Sequence, residues 1–229
     1  MSKNAVITPL LFLLLLFLFA EGYSQHRYKR NRTFYAPEWR FGPNVGFQQS
    51  NMFLKKNYNE YSHKPFFGLS GGLMTDIVFD DMIGIETGLM YIQQGTTAGI
   101  VVKRVPTNTD IRVNYIQMPL NIVPRFVQDP VTICLHFGVY GAYALNGTET
   151  TLEKNKPTTN IPFIVDTAFV VHKRFDMGMN IGISLEYENI AITGMYRFGL
   201  LNITSTPDIL YNKGIFITAA YMFTTAKRY

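Results

Sequence analysis

The sequence has very little cysteine and little charge, and each shortage excludes a class of protein. Cys134 is the only cysteine, so no internal disulfide can stabilise the fold as in small secreted domains. Only 16% of the residues are charged, whereas 47% are hydrophobic and 14% aromatic, an unusual balance for a secreted soluble domain. The formal net charge of +5 is too dispersed to indicate nucleic-acid binding.

Motifs for metal binding, phosphate binding and catalysis are also lacking. Histidine occurs at positions 26, 63, 136 and 172, without the paired spacing of a zinc site, and there is no glycine-rich phosphate loop. His136 shares a predicted strand face with Ser70 and Ser184, but nothing in the sequence brings a serine, His136 and a carboxylate together. We therefore predict no enzyme activity, no catalytic residues, no metal, no cofactor and no small-molecule substrate.

Only one long apolar run occurs, the uninterrupted block Leu10–Ala20 near the N-terminus. It is too short for a transmembrane helix, which needs about 20 apolar residues, and small residues follow it as in a cleaved secretory signal peptide. We predict a signal peptide over residues 1–24, a basic periplasmic tail over residues 25–37 and one domain over residues 38–229.

The rest of the chain alternates apolar residues with small or polar ones. The pattern is clearest over residues 175–200, where two alternating segments flank Glu188-Asn189, so that Tyr187 and Ile190 share one face. A period of two predicts β-strands with one apolar side and one polar side. Six further segments of this kind give eight predicted strands.

Short and long connections alternate between these strands. The expected turns lie at 78–82, 128–130 and 188–189, and the expected loops at 49–63, 94–110, 146–173 and 202–212, with residues 161–171 extending their hairpin. Such alternation predicts an all-β fold, an eight-stranded antiparallel transmembrane β-barrel with short periplasmic turns and long extracellular loops. The last strand is expected to pair with the first, because an open edge in hydrocarbon leaves backbone groups unsatisfied.

The fourth predicted strand changes phase. Its apolar residues occupy odd positions from Ile111 to Tyr115 and even positions from Ile116 to Ile122. We interpret the change as a bulge near Tyr115 and Ile116, which places Arg112 on the polar face.

The polar faces contain the candidate site residues. Eight strands leave an interior just wide enough for side chains, so we expect these residues to pair as a hydrogen-bonded network instead of lining an open pore. The network is expected to comprise Arg40, Asp76, Glu86, Arg112, His136, Asn180, Glu186 and Arg197. Two aromatic girdles are expected, with Trp39, Tyr187, Tyr221 and Phe223 near one rim and Phe67, Tyr143, Phe175 and Phe198 near the other.

Four segments resemble the outer membrane protein beta-barrel family found in Bacteroidota. They are Val113–Leu120, Phe41–Gly46, Gly71–Leu73 and Gly88–Tyr91, and the resemblance covers about residues 38–224. The family includes PorT-like proteins, which are associated with the type IX secretion system and the export of surface and secreted proteins. The resemblance implies a small barrel in the outer membrane of a Gram-negative bacterium, with a structural or accessory role, and it implies no catalytic residues.

Two other function classes stay open on the sequence alone. A soluble exported lipocalin-like barrel would turn its apolar faces inward around an apolar ligand, and an outer-membrane enzyme would depend on His136. For the barrel interpretation we expect outer-membrane lipid as the immediate partner. Secretion-machinery proteins are candidate partners for the loops, and acidic lipid headgroups or a periplasmic protein for the basic tail.

Overall fold

The computed structural model describes residues 37–55, 62–79, 82–102, 105–152, 160–162, 173–203 and 209–224. Its strands are β1 (Glu38–Lys55), β2 (Ser62–Phe79), β3 (Ile83–Val102), β4 (Val105–Gln128), β5 (Val131–Leu152), β6 (Asn160–Pro162), β7 (Phe175–Tyr187), β8 (Ile190–Gly199), β9 (Ile209–Tyr221) and β10 (Phe223–Thr224). Within these ranges, no helix combines the length and hydropathy needed to cross a membrane. The predicted signal peptide and residues 25–36 of the predicted tail lie outside the described residues.

The strands form one closed antiparallel sheet. β1 to β5 pair in chain order, followed by β7, β8 and β9. Closure comes from β9 and β10, which pair with β1 in one continuous register, Asn44 with Ala220 and Phe41 with Phe223. β9 and β10 thus act as one barrel strand interrupted at Met222, and β6 pairs only with β5. The predicted eight-stranded barrel is confirmed.

The apolar side of the sheet faces outward. In β7, Ile181 and Ile183 are exposed by 48% and 51%, whereas the flanking side chains of Asn180 and Ser184, on the other face of the strand, are exposed by only 3% and 2%. Large exposed apolar residues occur on all eight barrel strands. Such a band on a closed sheet is what a hydrocarbon environment requires, and it is the opposite of a lipocalin-like barrel, which carries its apolar side inside.

Short connections lie at one end of the barrel, which we call the turn end. β2 and β3, β4 and β5, and β7 and β8 are joined there, with connections no longer than three residues. Glu188 in the last of these turns has a φ of 51°, the left-handed conformation that two-residue hairpin turns use. The three predicted turns are confirmed, and the opposite end is called the loop end.

At the loop end, the strands extend further than the sequence pattern predicted. β3 and β4 pair as far as Val102 with Val105, so most of the predicted loop at 94–110 is a hairpin. β6 pairs with Thr148–Thr150 of β5 and lies within the predicted connection 146–173, of which residues 153–159 and 163–172 lie outside the described residues. These segments have no apolar alternation, because pairing with a neighbouring strand decides their structure more than their own propensity.

The bulge predicted in β4 is found in β5 instead. β4 keeps one register with β3 along their whole pairing, and its odd residues are buried from Ile111 to Val123. The irregularity is in β5, where Asn114 pairs with Asn146 and Tyr115 with Ala144, so that Leu145 is the extra residue. The apolar residues at 111, 113 and 115 therefore point into the barrel.

Candidate functional site

Four charged side chains pair across the lumen near the turn end. Arg40 Nη2 donates to Asp76 Oδ2 at 2.6 Å, and Arg40 Nη1 donates to Glu186 Oε2 at 3.0 Å. Arg125 Nη1 donates to the same Glu186 oxygen at 2.8 Å, and Arg125 Nη2 donates to Asp76 Oδ2. We call these residues the turn-end cluster. Its two cations and two carboxylates compensate one another, as burial of charge requires.

A second polar group lies around His136, on β5. The Nε2 atom of His136 is 2.8 Å from Ser184 Oγ, and its Nδ1 atom is 3.4 Å from Glu86 Oε1. Asn121 Nδ2 donates to Glu86 Oε1 at 2.7 Å, and Asn180 Nδ2 donates to Asn121 Oδ1 at 3.0 Å. The group links β3, β4, β5 and β7 by side-chain contacts inside the barrel.

The order Ser184, His136 and Glu86 is that of a serine hydrolase triad, which the sequence alone could not bring together. Ser184 and His136 are each exposed by only 2%, so the hydroxyl that would attack a substrate has almost no solvent contact. The low exposure of both side chains identifies the arrangement as a buried polar contact between β5 and β7. In the described part of the chain, no three His, Cys, Asp or Glu residues converge on a possible metal position.

The loop-end half of the lumen mixes polar and apolar contacts. Asp176 Oδ2 accepts hydrogen bonds from Tyr140 at 3.1 Å and from Asn212 Nδ2 at 2.9 Å. The surrounding apolar cluster consists of Met52, Ile111, Val113, Tyr115, Tyr140, Ala142, Ala144 and Ile203. A second cluster consists of Met74, Met90, Ile92, Met195, Phe216 and Met222. The interior is thus closed by apolar side chains as well as by the predicted polar network.

Seven of the eight predicted network residues face the lumen: Arg40, Asp76, Glu86, His136, Asn180, Glu186 and Arg197. Arg197 packs against Phe216, with its guanidinium carbon 4.0 Å from the ring centroid. Arg112 is the exception, because it is exposed and shares the outer side of β4 with Met118 and Leu120. Its guanidinium carbon lies 5.5 Å from the centroid of the Phe66 ring. The misplaced bulge is the reason for this error.

Two further charged residues, Arg125 and Asp176, face the lumen but do not belong to the predicted network. Arg125 occupies an odd position of β4, like the buried Asn121 and Val123, and Asp176 occupies an even position of β7, like the buried Asn180. Extending the alternation of β4 beyond Ile122 identifies Arg125, and Asp176 already lies on the polar face of the alternating segment that begins at residue 175. The distances that join them to their partners were not accessible from the sequence, because they depend on how the barrel closes.

The aromatic residues divide between the two ends. Trp39, Tyr187, Tyr221 and Phe223 lie at the turn end of their strands, and Phe67, Tyr143, Phe175 and Phe198 lie toward the loop end. All except the half-buried Phe198 are exposed by 44–70%. Phe41 joins the first group, with its ring centroid 5.8 Å from that of Phe223. Anchoring at the membrane interfaces stays a prediction for these residues.

A known family and several solved structures are similar to this chain. The family model described as outer membrane protein beta-barrel domain matches residues 23–205. Ail, the attachment invasion locus protein of Yersinia pestis, is 14% identical, with a TM-score of 0.42 over 81% of this chain and 99% of Ail. OprG from Pseudomonas aeruginosa is 11% identical, with a TM-score of 0.47 over 82% of this chain and 96% of OprG. A major outer membrane protein from Thermus thermophilus is 12% identical, with a TM-score of 0.46 over 82% of this chain and 100% of that protein. No curated protein matches the chain.

Proposed function

Because the chain belongs to the outer membrane protein beta-barrel domain family, we propose that it is a closed barrel with a structural or accessory role in that membrane. The turn-end cluster is the observation that carries the proposal. Arg40 and Arg125 each contact both Asp76 and Glu186, so ion pairs cross the lumen near its periplasmic mouth. A barrel closed in this way works through its outer surface and its loop end.

The finer proposal is a PorT-like role in type IX protein secretion or surface assembly. The resemblance of residues 113–120 to the outer membrane protein beta-barrel family, which includes PorT-like proteins, supports it, as does the length of the paired strands at the loop end. β1 and β9 pair as far as Lys55 with Ile209, and β3 and β4 as far as Val102 with Val105. Paired strands of this length present an ordered surface outside the lipid-facing band, where a protein partner can bind.

The partner proposal is tested by affinity purification from detergent-solubilised membranes. We expect subunits of the secretion machinery to co-purify with the full-length protein. In a matched variant, residues 97–110 are replaced by an Asn-Gly turn, which shortens the β3–β4 hairpin without changing the strands below it. This variant is expected to fold and to lose the partners. Reproducible absence of any such subunit from the parent protein would contradict the secretion role.

Closure of the lumen is tested separately by conductance in planar lipid bilayers. The parent protein is expected to give no steady current, because buried side chains occupy the interior from the turn-end cluster to the apolar cluster around Tyr115. A steady current from single, folded barrels would show that the lumen is open. The lipocalin-like alternative receives no support, since the apolar side chains of β7 face outward.

A further inference from the structure

Exposed charges are divided between the two ends of the barrel. Where side chains are described, the exposed cations Lys64, Arg112 and Lys173 all lie at the loop end, and the exposed carboxylates Asp129 and Glu188 lie in the short turns. Asp110 is the one partly exposed carboxylate described at the loop end, and the arginines near the turn end are paired in the turn-end cluster. The described outer surface is therefore basic at the loop end and acidic at the turn end.

Two arginines at the loop end lie against aromatic rings. Arg174, directly before β7, donates from Nη1 to the Tyr143 hydroxyl at 3.0 Å, and its guanidinium carbon is 5.8 Å from the Tyr143 ring centroid. The guanidinium carbon of Arg112 lies over the Phe66 ring, 5.5 Å from its centroid. Tyr143 is 48% exposed on the outer face, so Arg174 lies at the border of the lipid-facing band. These contacts limit the motion of each guanidinium, which has five N–H donors in all.

Phosphate is the ligand that such guanidinium groups are suited to bind, through charge and paired hydrogen bonds. Lipid headgroups lie at the level of the aromatic girdles, and the loop end of an outer-membrane barrel faces the outside. We propose that Arg112 and Arg174, assisted by Lys64 and Lys173, bind the phosphate groups of anionic lipid in the outer leaflet. The proposal rests on the outer-membrane location and is independent of any secretion partner.

The test measures lipid binding to the purified protein by native mass spectrometry. The probes are diphosphorylated lipid A and its dephosphorylated form, which has the same acyl chains, and the diphosphorylated form is expected to bind at least about tenfold more tightly. Arg112→Gln and Arg174→Gln are each expected to weaken its binding about fivefold, since a basic residue near an anionic membrane contributes about 1 kcal/mol. The double variant is expected to lose about 25-fold if the two sites are independent.

Two control variants separate phosphate recognition from a change in fold. Glu188→Gln removes an exposed charge at the turn end and is expected to bind like the parent protein, and Arg174→Lys is expected to retain part of the binding. Heat-modifiable gel migration shows that each variant is folded. Equal affinity for the two lipids, or parent-like binding by the folded double variant, would overturn the proposal. Full competition by inorganic phosphate at the concentration of the lipid would show that the lipid is not the source of affinity, and would overturn it as well.

Discussion

Arg40 Nη1 lies 3.0 Å from Glu186 Oε2, although the two residues are 146 positions apart in the chain. Arg40 is on β1 and Glu186 on β7, and these strands are not neighbours in the sheet. Their contact therefore crosses the lumen and links opposite parts of the barrel wall. Because Arg125 uses the same Glu186 oxygen, one carboxylate compensates two buried guanidinium groups.

The first prediction concerns this carboxylate. Glu186→Gln leaves Arg40 and Arg125 with Asp76 as their only partner in the turn-end cluster, and removing one partner from buried ion pairs costs about 3 kcal/mol or more. We expect the free energy of unfolding in urea to fall by about that amount. Fluorescence of Trp39, the only tryptophan, reports the transition. Glu188→Gln is the control, because Glu188 is exposed only two residues away, and identical unfolding of the two variants would refute the prediction.

The second prediction concerns the seam where β1 meets β9 and β10. Pro43 has no N–H for the ladder, and the N–H of Met222 donates to Asn189 at 2.8 Å, so the pairing is interrupted there. A Cβ at Gly42 would overlap the carbonyl oxygen of Tyr221. We expect Gly42→Ala to lower the free energy of unfolding by about 1–3 kcal/mol, as overpacking does.

Gly194 provides the matched control for this substitution. A Cβ at Gly194 has no atom within 4 Å, so Gly194→Ala is expected to leave stability unchanged or slightly higher, since alanine has less conformational freedom to lose than glycine. Urea unfolding and the yield of heat-modifiable protein after refolding measure both variants. Equal stability of the two alanine variants would show that close approach at the seam is not required.

The barrel was predictable from the sequence because lipid on one side and a packed interior on the other impose a period of two on every spanning strand. Where the chain leaves the lipid-facing band, as at 94–102, the period disappears while the strands continue. The site was predictable only as a set of inward positions. The prediction misplaces Arg112 because the alternation assigns the apolar residues at 111, 113 and 115 to the lipid-facing side, whereas they fill the interior of the loop end.

The third prediction tests what covers the outer face of β7. Cys134 is fully buried and is first replaced by alanine, after which Ile181→Cys and Ile183→Cys carry nitroxide labels in lipid vesicles. Both labels are expected to be relaxed by oxygen, which concentrates among acyl chains, and not by a water-soluble nickel complex. Asn180→Cys, which is buried in the parent structure, is the control and is expected to be protected from both. Strong nickel access at 181 and 183 would contradict a lipid-facing side.

The last prediction distinguishes a buried network from an active site at Ser184. Its hydroxyl lies 2.8 Å from His136 Nε2, but an activated serine must also meet its substrate, and both residues are exposed by only 2%. We expect a fluorophosphonate probe to leave the folded protein unlabelled. Ser184→Ala is expected to lower the free energy of unfolding by about 1–3 kcal/mol, because His136 loses a buried hydrogen-bond partner. Labelling of the folded parent protein that disappears in a folded Ser184→Ala variant would instead establish a reactive serine in the lumen.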